Sequence, residues 1–340
     1  MSGDVLLHSG LWETAANDAQ RTGRGSMDYR PMLADMRPVI AGADLAICHL
    51  ETPLAPKGGP FASYPVFSVP PAIAPALKWE GYDACTTASN HTLDQGFTGL
   101  VRTLNDLEAA GIAHAGSAAT RADSRQPLMQ DVKGVKVALI SATYGTNGIP
   151  IPSAEPWSVP LIDVDAIEQR AARARAEGAD VVIVALHWGL EYDHEPISDQ
   201  VSVAKALMAD HDVDLIYGHH AHVVQPFDVV HGKWVAYGLG NAIAQQETTQ
   251  EGVYEGITSR FTFTEQPNGR FRVSKAEYIP TYISAYNGAD PRMRWLNIPR
   301  GLADPATSPD TKAAMRAALS RVNADVNLLH AKSHGLVMGR

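Results

Sequence analysis

The amino-acid sequence predicts a layered α/β fold, because short apolar runs alternate with amphipathic helical patterns through its first two-thirds. Two apolar runs, at 135–141 and 180–186, are rich in Val, Ile and Leu, which is typical of strands buried on both faces. Helices are predicted at 97–110, 163–177 and 198–209, and glycines directly after the first two favour helix ends there. Strands and helices that alternate in this way pack as sheets covered by helices.

The remaining segments complete this pattern. Shorter apolar runs predict strands at 5–7, 44–48, 84–87, 214–217 and 234–237. Runs at 257–264 and 270–279 flank Asn268-Gly269, a dipeptide typical of a tight hairpin. A last amphipathic helix is predicted over 308–329, with Ser308 at its cap and Pro309 in its first turn. The stretches 53–75 and 145–160, rich in Pro and Gly, are predicted to be long loops over the site face.

The composition of the 340 residues, 45% hydrophobic and 19% charged, is that of a globular enzyme. With 28 Lys and Arg against 37 Asp and Glu, the net charge of −9 argues against nucleic acid as a partner. No apolar run approaches the ~18 residues of a membrane span. Because no basic and hydrophobic leader precedes 5–7, we expect a cytoplasmic protein, or an extracellular one whose leader was removed. Cys48 and Cys85 lie in apolar runs and are expected to be buried thiols rather than a disulfide.

Histidines gather in one part of the chain. Seven of the thirteen lie between His187 and His231. One of them, His187, directly follows the predicted strand 180–186, and three more follow the predicted strand 214–217: His219, His220 and His222. Ligands in open α/β sheets bind beyond the carboxyl ends of the strands. Converging neutral imidazoles therefore predict a divalent metal site, for which Zn, Mn, Fe and Ni are all compatible; loop histidines without a shared role are the alternative.

Other strand ends carry further polar groups. Asp4 begins the first predicted strand and His8 closes it, Glu51 follows the second, and Asn90-His91 follow the third with Asp94 close behind. Taken singly, these residues are also compatible with a solvated acid, a turn or a helix cap. Together they form the mixed set of His, carboxylate and Asn that two-metal hydrolases use.

These polar groups belong to six short motifs, which are in chain order Gly3-Asp4, Leu50-Glu51-Thr52-Pro53, Asn90-His91 with Asp94-x-Gly96, His187-Trp188-Gly189-x-Glu191-Tyr192, Gly218-His219-His220-x-His222 and Gly238-Leu239-Gly240-Asn241. The series resembles the CapA family of bacterial capsule and poly-gamma-glutamate synthesis proteins, which have a calcineurin-like metallophosphoesterase fold. The resemblance implies an α/β fold, a four-layer α/β/β/α sandwich of two mixed sheets, over residues 1–283. Residues 284–340 are then a C-terminal extension that carries the helix at 308–329.

The resemblance also implies roles for individual residues. The implied metal ligands are Asp4, Glu51, Asn90, His187, His220 and His222, with Glu51 in the bridging position. It implies that His91 protonates a leaving group and that Asp94 orients its imidazole. His219 stays outside the ligand set, and His8 is either a catalytic or supporting group or an ordinary strand-end residue. His49, Ser89, Ala221 and Ala242 depart from the family pattern and leave the substrate open.

The resulting functional hypothesis is a metal-dependent hydrolase. It would cleave a phosphoester bond, or a glutamyl or other peptide bond. The attacking water would be activated by one or two divalent ions, which are Mn, Zn, Fe or Ca. One alternative is a peptide epimerase or isomerase, in which His8 and His194 move protons at an alpha carbon. Another is a polymer-binding or assembly component without catalytic activity. The expected partner is a phosphoester, polyglutamate or peptide substrate, and the oligomeric state stays open.

Overall fold

The computed structural model describes residues 1–246 and 250–340. Within these ranges the strands form three sheets. The first has the order β11-β1-β2-β3-β4, with β1 (Asp4–Val5), β2 (Ile47–Leu50), β3 (Ala84–Thr86), β4 (Ala113–Ala115) and β11 (Asn241–Ile243). The second has the order β5-β6-β7-β8-β10-β9, with β5 (Leu128–Val132), β6 (Val135–Thr143), β7 (Val181–His187), β8 (Leu215–His219), β9 (Phe227–Val230) and β10 (Lys233–Ala236). The third joins β12 (Glu255–Glu265), β13 (Phe271–Ile283), β14 (Trp295–Asn297) and β15 (Leu336–Met338).

Helices cover the outer faces of the first two sheets. The helices of the described residues, including those that pack elsewhere, are α1 (Ser9–Thr22), α2 (Arg30–Leu33), α3 (Arg37–Ile40), α4 (Ile73–Glu80), α5 (Gly96–Ala109), α6 (Val164–Ala176), α7 (Ser198–Ala209), α8 (Ile298–Ala303) and α9 (Pro309–Asp325). Leu11 of α1 and Leu77 of α4 pack in one core with Val5 and Leu50 of the first sheet. Apolar residues of α6 and α7 pack in another core against the second sheet. The fold is therefore α/β, as predicted.

The two sheets face each other across a third core. Ile47 and Ala84 of the first sheet pack there with Val181 and Leu215 of the second. The layer order is thus helices, first sheet, second sheet and helices, which is the predicted four-layer sandwich. Because side chains on a strand alternate between its faces, every second residue of these strands points into the space between the sheets.

The number and type of sheets differ from the prediction of two mixed sheets. In the part of the chain that the structure describes, all strand pairs of the first sheet are parallel. The hairpin strands β12 and β13 are long and pair antiparallel with each other. Isolated bridges from Thr258 to Ser2 and from Gly256 to Gly240 link this hairpin to residues beside β1 and β11. No continuous ladder joins the hairpin to the first sheet in the described residues, so it belongs to a separate sheet. The hairpin itself was predicted correctly from Asn268-Gly269.

The C-terminal segment packs against the layered core. Val322 and Val326 lie in the core between the sheets, and β15 pairs with β13. The Ser308 side chain accepts a hydrogen bond from the Thr311 amide, which confirms the predicted cap of α9. The boundary at residue 283 stays a prediction. Across the described residues, no helix combines the length and apolar character needed to cross a membrane.

Two sequence-based expectations were wrong. Cys48 and Cys85 form a disulfide instead of remaining thiols, because they are register partners on the neighbouring strands β2 and β3 with Cα atoms 4.4 Å apart. The stretch 53–75 is not all loop, since α4 begins at Ile73. Helix α1 was missed because small residues such as Ala15 and Ala19 supply much of its buried face.

Candidate metal centre

The alternation of side chains along the strands brings the polar strand ends together. Ile47 points into the space between the sheets, so His49 two residues later points there too. On the second sheet, Ala185 points into the same space, so His187 two residues later points there as well. Asp4 is the register partner of His49, and His187 is the register partner of His219. Strands β1, β2, β7 and β8 therefore deliver a carboxylate and imidazoles to one buried space.

The predicted ligand residues converge in this space. His187 Nε2 lies 2.9 Å from Asn90 Oδ1 and 4.0 Å from Glu51 Oε1. His222 Nε2 lies 3.7 Å from the same Glu51 oxygen. The ring centroids of His187 and His220 are 4.8 Å apart. Carboxylate, amide and imidazole groups from four separate segments thus lie close to one another in this space.

Asp4 ties the turn after β8 to the first sheet. Its Oδ1 accepts a hydrogen bond from His219 Nδ1 at 2.6 Å, and its Oδ2 accepts one from the His220 amide at 3.2 Å. His222 Nδ1 also lies 3.2 Å from Oδ2. Burial opposes ionisation of Asp4, but the charges and hydrogen bonds of His219 and His222 outweigh it and hold the pKa of Asp4 well below its usual range. Asp4 is therefore a buried carboxylate anion.

His220 and His222 are held in a strained turn. Their φ angles are 88° and 56°, in the left-handed region that residues with a Cβ rarely adopt. The hydrogen bonds to Asp4 and one from His222 Nδ1 to Asn241 Oδ1, at 3.1 Å, hold the turn in place. Backbone strain of this kind persists where the surroundings fix it, and it concentrates at functional sites.

The pKa values of Glu51 and His222 are both raised, for different reasons. Burial raises the pKa of Glu51 well above its usual range. Burial also disfavours the charged form of His222, but the charges of Glu51 and Asp4 outweigh it and raise the pKa of His222 to about 9. In the absence of a cation, Glu51 and His222 therefore both tend to retain their protons. A divalent cation bound at the same place would displace them.

The predicted pair of His91 and Asp94 lies next to the ligand cluster. His91 Nδ1 is 2.8 Å from Asp94 Oδ2, which also accepts a hydrogen bond from the Phe67 amide at 2.7 Å. The edge of the Phe67 ring contacts the His91 ring, with centroids 4.8 Å apart. These contacts fix the imidazole on two sides.

His8 lies near this pair, whereas His194 is engaged elsewhere. The His8 ring also meets the Phe67 ring, at 5.3 Å between centroids, and burial lowers the pKa of His8 to about 4. It is therefore a neutral imidazole at pH 7. His194 Nδ1 lies 3.0 Å from Asp325 Oδ2 of α9, so this histidine is not a free base.

Sequence reasoning missed several neighbours of the cluster. His49 Nε2 lies 3.0 Å from His187 Nδ1, and the His49 ring stacks on that of His219 at 4.1 Å. Glu191 can offer a carboxylate oxygen within 4.8 Å of the ligand atoms of His220 and His222. The signal for Glu191 was its place in the His187-Trp188-Gly189-x-Glu191 motif, and the signal for His49 was strand alternation.

The residues of this cluster fit a divalent cation. Both carboxylate oxygens of Glu51 are buried, and no described residue gives either one a hydrogen bond. A buried acceptor without a partner is costly, and a cation bound at Glu51 would give both oxygens a partner. The side-chain atoms that could bind the ion lie 2.9–4.0 Å from one another. Atoms that are each about 2.0–2.2 Å from the same ion are separated by similar distances. Mixed imidazole and oxygen ligands suit Zn, Mn or Fe.

The layer order and the position of this cluster define the class: an α/β/β/α sandwich with a buried histidine and carboxylate site at the carboxyl ends of its strands. Within that class, the chain belongs to the family described as "Bacterial capsule synthesis protein PGA_cap", whose family model matches residues 1–246. The resemblance predicted from the six motifs is thus confirmed.

Curated relatives carry related names. The "Capsule biosynthesis protein CapA" of Bacillus anthracis is 33% identical over 52% of this chain and 43% of its own length. The "PGA biosynthesis protein CapA" of Bacillus subtilis is 30% identical over 58% of this chain and 51% of its own length. A "Probable polyglutamine synthesis accessory protein" of Mycobacterium tuberculosis is 27% identical over 66% and 59%. The chain therefore matches about half the length of these relatives.

Two solved structures illustrate a distant similarity. The calcineurin-like phosphoesterase YfkN from Bacillus subtilis has 18% identity and a TM-score of 0.41, covering 62% of this chain and 66% of its own. The NAD nucleotidase of Haemophilus influenzae has 14% identity and a TM-score of 0.42, covering 74% and 48%. Likeness at this level says nothing about the chemistry of this chain.

Proposed function

We propose that this chain is a metal-dependent hydrolase that acts during the synthesis of an anionic capsule polymer. One observation carries the proposal: the buried Glu51 carboxylate has no hydrogen-bond donor among the described residues and faces the Nε2 atoms of His187 and His222. The relatives named for capsule and polyglutamate synthesis support the biological setting.

The ligand residues have one task, which is to hold the metal. Asp4, Glu51, Asn90, His187, His220 and His222 are the groups that hold one or two divalent ions. A bound ion lowers the pKa of its water to about 7 and polarises the bond to be cleaved. Asp4 also anchors the turn with His220 and His222, so the imidazoles keep their places when no substrate is bound.

His91 is the proposed proton donor to the leaving atom. Since Asp94 accepts its Nδ1 proton, Nε2 is the atom that exchanges a proton with substrate. The Asp94 carboxylate stabilises the imidazolium and keeps its orientation, and the amide of Phe67 holds that carboxylate in turn. Asn147 lies beside the pair, with its Nδ2 3.5 Å from His91 Nδ1.

The bond cleaved is either a phosphoester or a glutamyl amide, and direct assay distinguishes the two. Protein loaded with Mn or Zn is given p-nitrophenyl phosphate, bis-p-nitrophenyl phosphate and gamma-glutamyl oligomers in parallel. We expect turnover of one of these classes and a loss of at least about 100-fold in His91→Ala, with the metal content unchanged.

A matched control is available at the surface. His114 Nε2 lies 3.0 Å from Glu108 Oε1, an imidazole and carboxylate pair like that of His91 and Asp94 but remote from the cluster. His114→Ala should leave turnover unchanged. If metal-loaded wild-type protein turns over none of the substrates but binds glutamyl polymer, the protein is an assembly component and the hydrolase proposal fails.

A further inference from the structure

Behind the predicted ligand His187 lies a second buried imidazole, that of His49. His49 is 1% exposed and sits on β2 in register with Thr86 of β3. Its Nδ1 lies 2.8 Å from Thr86 Oγ1, and its Nε2 lies 3.0 Å from His187 Nδ1. A chain of hydrogen bonds therefore runs from Thr86 through His49 to His187. We call this chain of three side chains the relay.

The two facing ring nitrogens couple the imidazoles of the relay. His49 Nε2 and His187 Nδ1 lie 3.0 Å apart, so one of them donates a proton and the other accepts it. A neutral imidazole carries one proton, on either Nδ1 or Nε2, so the choice in one ring fixes the choice in the other.

Two directions of the hydrogen bonds satisfy this geometry. In the first, the Thr86 hydroxyl donates to His49, His49 Nε2 donates to His187, and His187 Nε2 donates to Asn90 Oδ1 at 2.9 Å. In the second, every bond reverses: His187 Nδ1 donates to His49, and His49 Nδ1 donates to Thr86. The Thr86 hydroxyl then has a separate acceptor, the Cys48 carbonyl oxygen at 3.3 Å.

Only the second direction frees the Nε2 lone pair of His187 for a metal. We propose that His49 and Thr86 are positioning residues whose hydrogen bonds reverse when a divalent cation binds, so that His187 becomes a ligand without changing its charge. The change balances in protons: His187 gives its Nε2 proton to solvent and takes the Nε2 proton of His49 at Nδ1, while His49 receives one from solvent at Nδ1 through the Thr86 hydroxyl. No net proton is released. The inference rests on the proposed function only in taking His187 as a ligand.

The direct test is the tautomeric state of His49 and His187 in protein labelled with ¹⁵N-histidine. Two-bond ¹⁵N–¹H NMR spectra of the wild-type protein distinguish a protonated from an unprotonated ring nitrogen, without and with Zn²⁺. We expect protonated Nε2 in both rings before Zn²⁺ and protonated Nδ1 in both rings after it. If the His49 tautomer is the same in both states, the relay does not reverse and the inference is wrong.

A pair of Thr86 variants tests the energetic role. Thr86→Val removes the hydroxyl with little change of shape, whereas Thr86→Ser keeps it. Loss of a group that orients a ligand costs about 10–100-fold in metal affinity. Zn²⁺ titration against a competing chelator dye should show that loss for Thr86→Val and a near wild-type affinity for Thr86→Ser. Equal affinities would overturn the positioning role, whereas failure of wild-type protein to bind Zn²⁺ would overturn the metal site itself.

Discussion

Replacing Glu80 by Gln should stabilise the protein, increasingly so as the pH rises. Glu80 is the last residue of α4; it is fully buried, and neither carboxylate oxygen has a hydrogen-bond partner among the described residues. Arg37 is close, but its guanidinium stacks on Trp79 and donates to the Trp79 carbonyl. Burial therefore raises the pKa of Glu80 from 4.5 to about 8, although the charge of Arg37 partly offsets it.

The raised pKa of Glu80 sets the sign and size of the effect. The folded state prefers the protonated acid. Glu80 therefore does not destabilise the protein below pH 4.5, and the free energy of unfolding falls as the pH rises towards 8. At about 1.4 kcal/mol per pH unit, the loss is about 3 kcal/mol at pH 7 and at most about 5 kcal/mol above pH 8. Glu80→Gln removes this loss, while the other titrating groups cancel in the difference between the two proteins.

Urea unfolding of wild type and Glu80→Gln at pH 5, 6, 7 and 8 measures the effect. The difference in the free energy of unfolding should grow in favour of the variant with each step in pH. Glu265→Gln, at the exposed end of β12, is the control and should show no such trend. A Glu80→Gln difference that is constant with pH, or that favours wild type at pH 8, would refute the reasoning.

Three other predictions follow from the site and the core. Asp94→Asn should lower kcat about 10–100-fold with unchanged metal content, because His91 loses the charge that stabilises its imidazolium. Steady-state kinetics and elemental analysis measure the two quantities, and an unchanged kcat would contradict the prediction. Removing the metal with a chelator should lower Tm by several degrees, since a ligand at 100 times its Kd contributes about 2.7 kcal/mol; a calorimetric scan with unchanged Tm would speak against a metal in the folded core. The double variant Cys48→Ser, Cys85→Ser should have a free energy of unfolding about 4 kcal/mol lower than wild type, because the disulfide closes a loop of 37 residues. Thiol titration of wild-type protein in denaturant should find free thiols only after reduction. Free thiols before reduction would show that the bond is absent.

Much of the fold could be predicted from the sequence because it depends on local patterns. The runs at 135–141 and 180–186 became β6 and β7, and the helix at 198–209 has the bounds of α7. The separate third sheet could not be predicted, because strand pairing depends on which edges meet in three dimensions. The disulfide was missed for the same reason, since the register of β2 against β3 is not visible in either strand alone.

The candidate site was predictable where chemistry follows a strand end. Asp4, Glu51, Asn90, His187, His220 and His222 meet in the structure, and Asp94 contacts His91 as expected. Their roles as ligands and catalytic groups stay predictions. His49 was undervalued because its function depends on a neighbour from the other sheet, 138 residues away in the chain.

The central claim is that the buried cluster binds divalent metal, and elemental analysis tests it most directly. Wild-type protein purified without added metal or chelator is compared with a Glu51→Gln and His222→Ala double variant after both have been shown to fold. We predict one to two divalent ions per wild-type chain and a loss of that metal in the variant. Wild-type protein that holds no divalent ion, even after soaking with Mn or Zn, would contradict the claim.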